Sequence, residues 1–138
     1  MSRLPQSNEK TPEKDKCGTP AYALEILIPY LDNLQNILSR QLVVWESAAG
    51  EGLLSGYLER AGYRVIATDY STDGEYIGAG VMGGFDRFRG SHSYPPMFDY
   101  DIEITNVPFS RQFEWHKLAC ETDKPFALLA PFSLYTSY

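Results

Sequence analysis

The stretch LVVWESAAGEGLLSGYLERAGYRVIATDY, residues 42–70, decides the fold of this chain. It opens with a continuous apolar run, residues 42–45, which is typical of a strand buried on both faces of a parallel sheet. Small residues at 47–52 predict a loop. Apolar side chains then recur at helical spacing over residues 53–61, and Gly62 is a natural stop for that helix.

A second strand follows this helix. It covers residues 63–68 and ends at Asp69. The order of strand, helix and strand predicts a βαβ unit with parallel strands and a right-handed crossover. The chain is therefore expected to belong to the α/β class, with a mostly parallel sheet and helices on both faces.

A helix is also predicted before this unit. Thr19 can cap it, Pro20 suits its first position, and Pro29 should kink or end it. A second short helix is expected over residues 31–39. The polar, charged and proline-containing residues 1–18 predict a flexible N-terminal arm.

Further elements follow the unit. Residues 71–98 are rich in glycine and have no clean period, so they predict a loop, with at most a short helix and a weak strand. Apolar runs predict strands at 102–105 and 126–130, and residues 113–120 predict a helix between them. Residues 19–138 are expected to form one domain.

The charge balance limits any contact with nucleic acid. The formal net charge is -6, the wrong sign for a protein that grips DNA over a wide surface. Contacts with DNA are therefore expected to be local, or to come from a partner. The basic candidates near the predicted site are Arg87, Arg89, Arg111 and Lys117, and the alternative is that these are ordinary solvated charges.

Cysteine and histidine usage predicts no metal site. Cys17 and Cys120 form no C-x-x-C pair, and His92 and His116 are not spaced as ligands with them. A reduced, cytoplasmic setting is the simplest interpretation. The sequence shows no signal-peptide pattern and no apolar run long enough for a membrane span.

The glycine loop is a candidate cofactor site. Gly50 and Gly52 lie between a strand and a helix, where backbone can approach a ligand, and Asp69 could accept hydrogen bonds from ribose hydroxyls. No Lys-Ser/Thr pair follows the last glycine, as a phosphate loop would need. Glu46 and Glu51 favour a ligand with a cationic part. The alternative is that the glycines only permit tight packing and that Asp69 is a solvated loop residue.

A second candidate site follows the strand at 102–105. The run Asn-Val-Pro-Phe, residues 106–109, is a poor tight turn but would suit a device that holds a base. Phe109 could instead plug the core. Glu103 is unusual within a buried strand and could face a partner, because a buried unpaired carboxylate is costly.

Four segments together resemble the S-adenosylmethionine-dependent DNA adenine-N6 methyltransferases, especially compact phage-type members. They are TPAYALEILIPYL, VWESAAGEGLLSGYLERAGYRVIATD, FDYDIEITNVPFS and KPFALLAPF, and the resemblance covers about residues 19–132. It implies a Rossmann-like methyltransferase fold, S-adenosylmethionine as cofactor and an adenine flipped out of DNA as substrate.

The resemblance also implies roles for particular residues. The cofactor site would comprise Thr19, Pro20, Glu46, Ala48, Gly50, Gly52, Asp69 and Tyr70. Within it, Thr19 and Pro20 would cover the methionine end, and Tyr70 would pack on the cofactor's adenine. The catalytic motif would be Asn106, Val107, Pro108 and Phe109. Its Asn side chain and a backbone carbonyl would accept both hydrogens of the target amine, while the aromatic ring stacks on the base.

The chain departs from the family pattern in two ways. Val107 replaces one of two usual prolines, which frees a φ angle and adds an N–H that needs a partner. The sequence also stops soon after the last predicted strand, so the sheet is expected to be incomplete at its C-terminus and to be completed by a second subunit or copy. The alternatives are a shortened, non-catalytic binding or structural protein, and a methyltransferase for a protein amide.

Overall fold

The structure is a computed structural model that describes residues 21–72, 74–75, 77–87 and 98–130. The predicted arm, residues 1–18, and the predicted cofactor residues Thr19 and Pro20 lie outside the described residues, as does Arg89. Within the described ranges, no helix is long and apolar enough to cross a membrane.

The described residues form an α/β structure with a four-stranded, all-parallel sheet, which confirms the predicted class. Its elements, in chain order, are α1 (Ala21–Glu25), α2 (Ile28–Leu38), β1 (Val43–Glu46), α3 (Leu53–Arg60), β2 (Arg64–Ala67), β3 (Ile102–Asn106), a short 3₁₀ helix (Phe109–Arg111), α4 (Gln112–Glu121) and β4 (Phe126–Leu129).

The strands lie in the order β2-β1-β3-β4, and every neighbouring pair is parallel. Val44 of β1 is opposite Val65 on one side and Ile102 on the other. Outside β2, an isolated parallel bridge joins Thr68 to Met82. This bridge is the only regular pairing in the described part of residues 71–98, where a short helix and weak strand were the most that the sequence predicted.

Pro29 was predicted to kink or end the first helix, and the helix is indeed interrupted, but α1 already ends at Glu25, four residues before Pro29. Pro29 lies at the second position of α2, whose first-turn N–H groups have no partner within the helix, so its missing N–H costs nothing there. The helical prediction before it is instead divided by a turn, in which the N–H of Leu27 donates to the carbonyl of Leu24 at 2.8 Å. Helix α2 therefore begins three residues earlier than expected.

One face of the sheet packs against α1, α2 and α3. Successive side chains of a strand point to opposite faces, so Val44, Ile102 and Ile104 share this face. The core cluster comprises Leu24, Leu31, Leu42, Val44, Leu54, Leu58, Tyr63, Ile102 and Ile104, all buried. Burial of this apolar area is the main stabilising contribution to the fold.

The other face carries Trp45, Glu103 and Thr105, which are fully or almost fully buried. Trp45 makes edge contacts with Phe85 and Phe98, whose ring centroids lie 6.0 and 5.5 Å from its own. Helix α4 covers this face through Trp115, so the described helices lie on both faces of the sheet.

Candidate functional site

The glycine loop and the Asn106 motif lie at the point where the direction of the chain across the sheet reverses. From β1 the chain crosses through α3 to β2 on one side, and from β3 it crosses through α4 to β4 on the other side. The carboxyl ends of β1 and β3 therefore lead away from each other. In open α/β sheets this opening is the usual place for a ligand.

Two left-handed glycines shape the loop after β1. Gly50 has φ 52° and Gly52 has φ 83°, a region that other residues rarely adopt. Gly52 is the residue before α3 and accepts the N–H of Gly56 at 2.9 Å. The predicted loop and the start of its helix are thus confirmed, and the glycines are required by backbone geometry.

Asp69 joins this loop to the end of β2. Its Oδ2 accepts the N–H of Gly50 at 2.9 Å, and its Oδ1 accepts the N–H of Ser71 at 2.9 Å. The residue is 8% exposed, so the alternative of a solvated loop residue is wrong. Asp69 is therefore in direct contact with the glycine loop.

Glu46 is the buried acid at the end of β1. It is 2% exposed, and its Oε1 accepts a hydrogen bond from the hydroxyl of Ser55. Burial, with a smaller effect from the charge of Asp69, raises the pKa of Glu46 to about 8. At neutral pH the carboxyl therefore holds its proton, and the negative charge expected at this position develops only as the pH passes about 8.

A segment of the chain lies over the glycine loop. In this strap, defined as residues 77–82, the N–H of Gly78 donates to the carbonyl of Gly50 at 2.8 Å. The strap approaches so closely that a Cβ on Gly78 would be 1.9 Å from the carbonyl oxygen of Glu51. The sequence did not predict this contact, although the density of glycines in the segment was the available signal.

The Asn106 motif is anchored to β4. Asn106 is the last residue of β3 and is half-buried. The N–H of Val107 donates to the carbonyl of Leu129 at 3.0 Å, so the N–H gained in place of a proline has a partner. Pro108 is extended, with φ −61° and ψ 123°, and Phe109 is 36% exposed. Phe109 therefore does not plug the core.

Side chains of β3 hold the first residues of the glycine loop. The backbone N–H of Ala48 donates to Oγ1 of Thr105 at 3.1 Å, and the hydroxyl of Ser47 donates to Oε2 of Glu103. The indole N–H of Trp115 in turn donates to Oγ of Ser47 at 3.0 Å. The two predicted sites are thus joined through buried and part-buried hydrogen bonds.

Arg87 is neither a DNA-facing cation nor a solvated charge, so both interpretations of this residue were wrong. Its guanidinium donates to both carboxylate oxygens of Glu103, at 3.2 and 3.1 Å, and lies 4.8 Å from the ring centroid of Trp45. Its side chain is 1% exposed. This pair also answers why Glu103 stands in a buried strand. A carboxylate there signals a buried cation elsewhere in the sequence.

The remaining basic candidates differ from each other. Arg111 donates to both carboxylate oxygens of Glu114, at 2.9 and 2.6 Å, and is only partly exposed. Lys117 lies on an exposed position of α4. Of these two described residues, Lys117 is therefore the more available to bind a phosphate.

A mainly apolar cavity of about 390 Å³ lies beside the site, along β4. It is lined by Ala23, Leu24, Ile26, Leu27, Leu54, Ile104, Thr105, His116, Phe126, Ala127, Leu128 and Leu129. In the described part of the chain, β4 pairs with β3 alone and is the outer strand of the sheet. Leu129 and Ile26 are 40% and 81% exposed at this edge.

Comparisons of this chain with protein-family models, with curated proteins and with solved structures found no match. The structure therefore shows only where the candidate residues lie. It brings together Ala48, Gly50, Gly52 and Asp69 around the glycine loop, with Glu46 beneath it. Tyr70 follows Asp69 and is half-buried.

Proposed function

We propose that this protein is an S-adenosylmethionine-dependent methyltransferase with a Rossmann-like fold, acting on the N6 amine of adenine in DNA. The observation that carries the proposal is the 3.1 Å hydrogen bond from the N–H of Ala48 to Oγ1 of Thr105. It joins the glycine loop to the residue immediately before Asn106, at the opening between β1 and β3. A methyl donor and a target amine must meet at such a point.

The residues around the loop fit a nucleoside cofactor. The left-handed glycines keep side chains away from the loop, and the carboxylate of Asp69, which lies against the loop, would accept hydrogen bonds from ribose hydroxyls. Tyr70 would pack on the adenine ring, and Thr19 and Pro20 would cover the methionine end. S-adenosylmethionine would supply an electrophilic methyl group on a sulfonium centre.

The motif at residues 106–109 would orient the target base. The side-chain oxygen of Asn106 and the carbonyl of Val107 would each accept one hydrogen of the N6 amine, which directs the nitrogen lone pair toward the donor. The bond between Val107 and Leu129 supports this geometry, because it fixes the backbone where the family has a second proline. Phe109, partly exposed, would stack on the flipped base.

The charge of the chain suggests how DNA would be held. A net charge of -6 favours local contacts, to which exposed Lys117 could contribute. A second subunit or copy along β4 would supply further contacts and cover the apolar edge. The cysteine spacing favours a reduced, cytoplasmic setting.

One observation favours a non-catalytic binding or structural protein instead. The strap occupies the carbonyl of Gly50, and both oxygens of Asp69 already accept backbone N–H groups. Such a loop could serve as scaffold alone. The two candidates differ in whether the chain binds the methyl donor and transfers its methyl group.

The proposal is tested with tritium-labelled S-adenosylmethionine and adenine-containing DNA, followed by digestion and identification of N6-methyladenine. Transfer by the wild type that is lost in Asn106→Ala supports the proposal. Asn33→Ala, which removes an exposed amide from α2, is the matched control and should transfer like the wild type. Cofactor binding in calorimetry without transfer would favour the non-catalytic candidate, and no binding at millimolar cofactor would refute the proposed cofactor.

A further inference from the structure

The backbone pairing between β1 and β3 is short. Its register comprises Val44 with Ile102 and Trp45 with Glu103. Beyond these pairs β3 continues to Asn106 along β4, whereas β1 ends at Glu46. At the opening, β3 is therefore connected to the residues after β1 by hydrogen bonds to its side chains and no longer by backbone pairing.

Two side chains of β3 make this connection. Thr105 and Glu103 are two residues apart and so point to the same face of the sheet. They are 0% and 1% exposed, and they accept hydrogen bonds from Ala48 and Ser47 respectively. The bond to Glu103 is buried and the bond to Thr105 is part-buried, and both acceptors are buried side chains, so loss of either donor leaves a buried acceptor without that partner.

Glu103 is itself fixed from two sides. The guanidinium of Arg87 donates to both of its oxygens, and Ser47, which donates to Oε2, also accepts the indole N–H of Trp115. The position of Ser47 is therefore determined by groups from β3 and α4 together. A displacement of the loop has to be accommodated by these partners, because buried polar networks are coupled.

We propose that Thr105 and Glu103 are positioning residues that couple the glycine loop to the Asn106 motif. The inference rests on the proposed function, since it predicts that a ligand on the loop changes the geometry of the residue that holds the target amine. Coupling of this kind is reciprocal, so a change at β3 also changes the affinity of the loop for its ligand.

The test compares Thr105→Val, which removes the acceptor at similar volume, with Thr105→Ser, which keeps the hydroxyl. In amide exchange followed by NMR, the Ala48 N–H should exchange at least about tenfold faster in Thr105→Val and near the wild-type rate in Thr105→Ser. The affinity for S-adenosylmethionine is titrated under conditions in which every variant is folded. It should be about tenfold weaker than wild type in Thr105→Val and should stay within about twofold of wild type in Thr105→Ser.

A variant on the loop side tests the reverse direction. Ser47→Ala removes the donor to Glu103, and the side-chain amide signals of Asn106 should shift in the folded variant, as they should on adding S-adenosylmethionine to the wild type. Faster Ala48 exchange with unchanged cofactor affinity in Thr105→Val would overturn the coupling, and so would unchanged Asn106 signals in Ser47→Ala.

Failure of the proposed function gives a different result. If the wild type does not bind S-adenosylmethionine at all, the methyltransferase proposal fails, and the exchange and Asn106 measurements on the unliganded protein still decide whether the loop and motif are coupled. Unchanged Ala48 exchange in Thr105→Val overturns the inference whether or not the cofactor binds.

Discussion

The backbone N–H of Gly50 donates a 2.9 Å hydrogen bond to Oδ2 of Asp69. With the second bond from Ser71 to Oδ1, one carboxylate connects the loop after β1 to the turn after β2. The same carboxylate is the proposed acceptor for a ribose. Asp69 therefore has a structural role that is present without any ligand, and its replacement affects loop and ligand together.

Asp69→Asn should lower the free energy of unfolding by about 1–3 kcal/mol, because the amide nitrogen cannot accept the N–H that it would face in the buried loop. Urea denaturation measures the loss. Asp123→Asn, at an exposed position before β4, is the control and should change stability by less than about 0.5 kcal/mol. Equal stabilities for the two variants would mean that Asp69 does not hold the loop.

Glu46→Gln should remove a component of the pH dependence of stability. The pKa of Glu46 is raised to about 8 in the folded chain, so above its ordinary value near 4.5 the folded state keeps a proton that the unfolded state has released. Wild-type stability should therefore fall relative to Glu46→Gln as the pH rises between those values, by up to about 1.4 kcal/mol per pH unit, and level off above them.

Urea midpoints of both proteins from about pH 5 to about pH 9 measure this difference. Glu51→Gln removes an exposed acid from the same loop and serves as the control, whose stability should stay parallel to the wild type. Parallel curves for Glu46→Gln and the wild type would show that Glu46 is ionised throughout this range.

Gly78→Ala should destabilise the chain by about 1–3 kcal/mol, because its Cβ would overlap the backbone carbonyl of Glu51 and the strap would have to move. Thermal unfolding measures the loss, and faster amide exchange at Gly78 would report that its bond to Gly50 has opened. Gly74→Ala is the matched control, since a Cβ there meets nothing within 4 Å. A Gly78→Ala variant as stable as Gly74→Ala would contradict the close approach of the strap.

Arg87→Met should cost about 3–5 kcal/mol of stability, because it leaves the carboxylate of Glu103 buried without its cation. The double variant with Glu103→Leu should recover part of that loss, since the unpaired charge is gone. Arg111→Met breaks an ion pair whose carboxylate is 45% exposed and should cost less than about 1 kcal/mol. Equal losses from Arg87→Met and Arg111→Met would argue against a buried pair.

The sequence predicted the elements whose signals are local. Apolar runs located β1, β2, β3 and β4 to within one residue at every end, and Gly62 correctly marked the stop after α3. Strands buried on both faces require continuous apolar residues, and such a run can be found in the sequence without knowledge of any tertiary contact. The position of Asn106 at a strand end was predicted for the same reason.

Features that depend on distant partners were not predicted. Glu103 was recognised as unusual, but its partner Arg87 lies on a segment with no periodicity, and burial of a cation leaves no local pattern. The strap was likewise not predicted: its many glycines were a signal, but its contact with Gly50 depends on how the glycine-rich loop folds back. Pro29 was misinterpreted because a proline ends one helix or begins the next with the same sequence signal.

The hydrogen bond from Val107 to Leu129 restrains the backbone of the Asn106 motif in a different way from a proline. A second proline would restrict φ at that position through a covalent ring, even in a short peptide. In this chain the restraint is a hydrogen bond to another strand, so it exists only while β4 is in place. The conformation of the motif thus depends on the assembled sheet. On warming, the motif should become mobile together with β4.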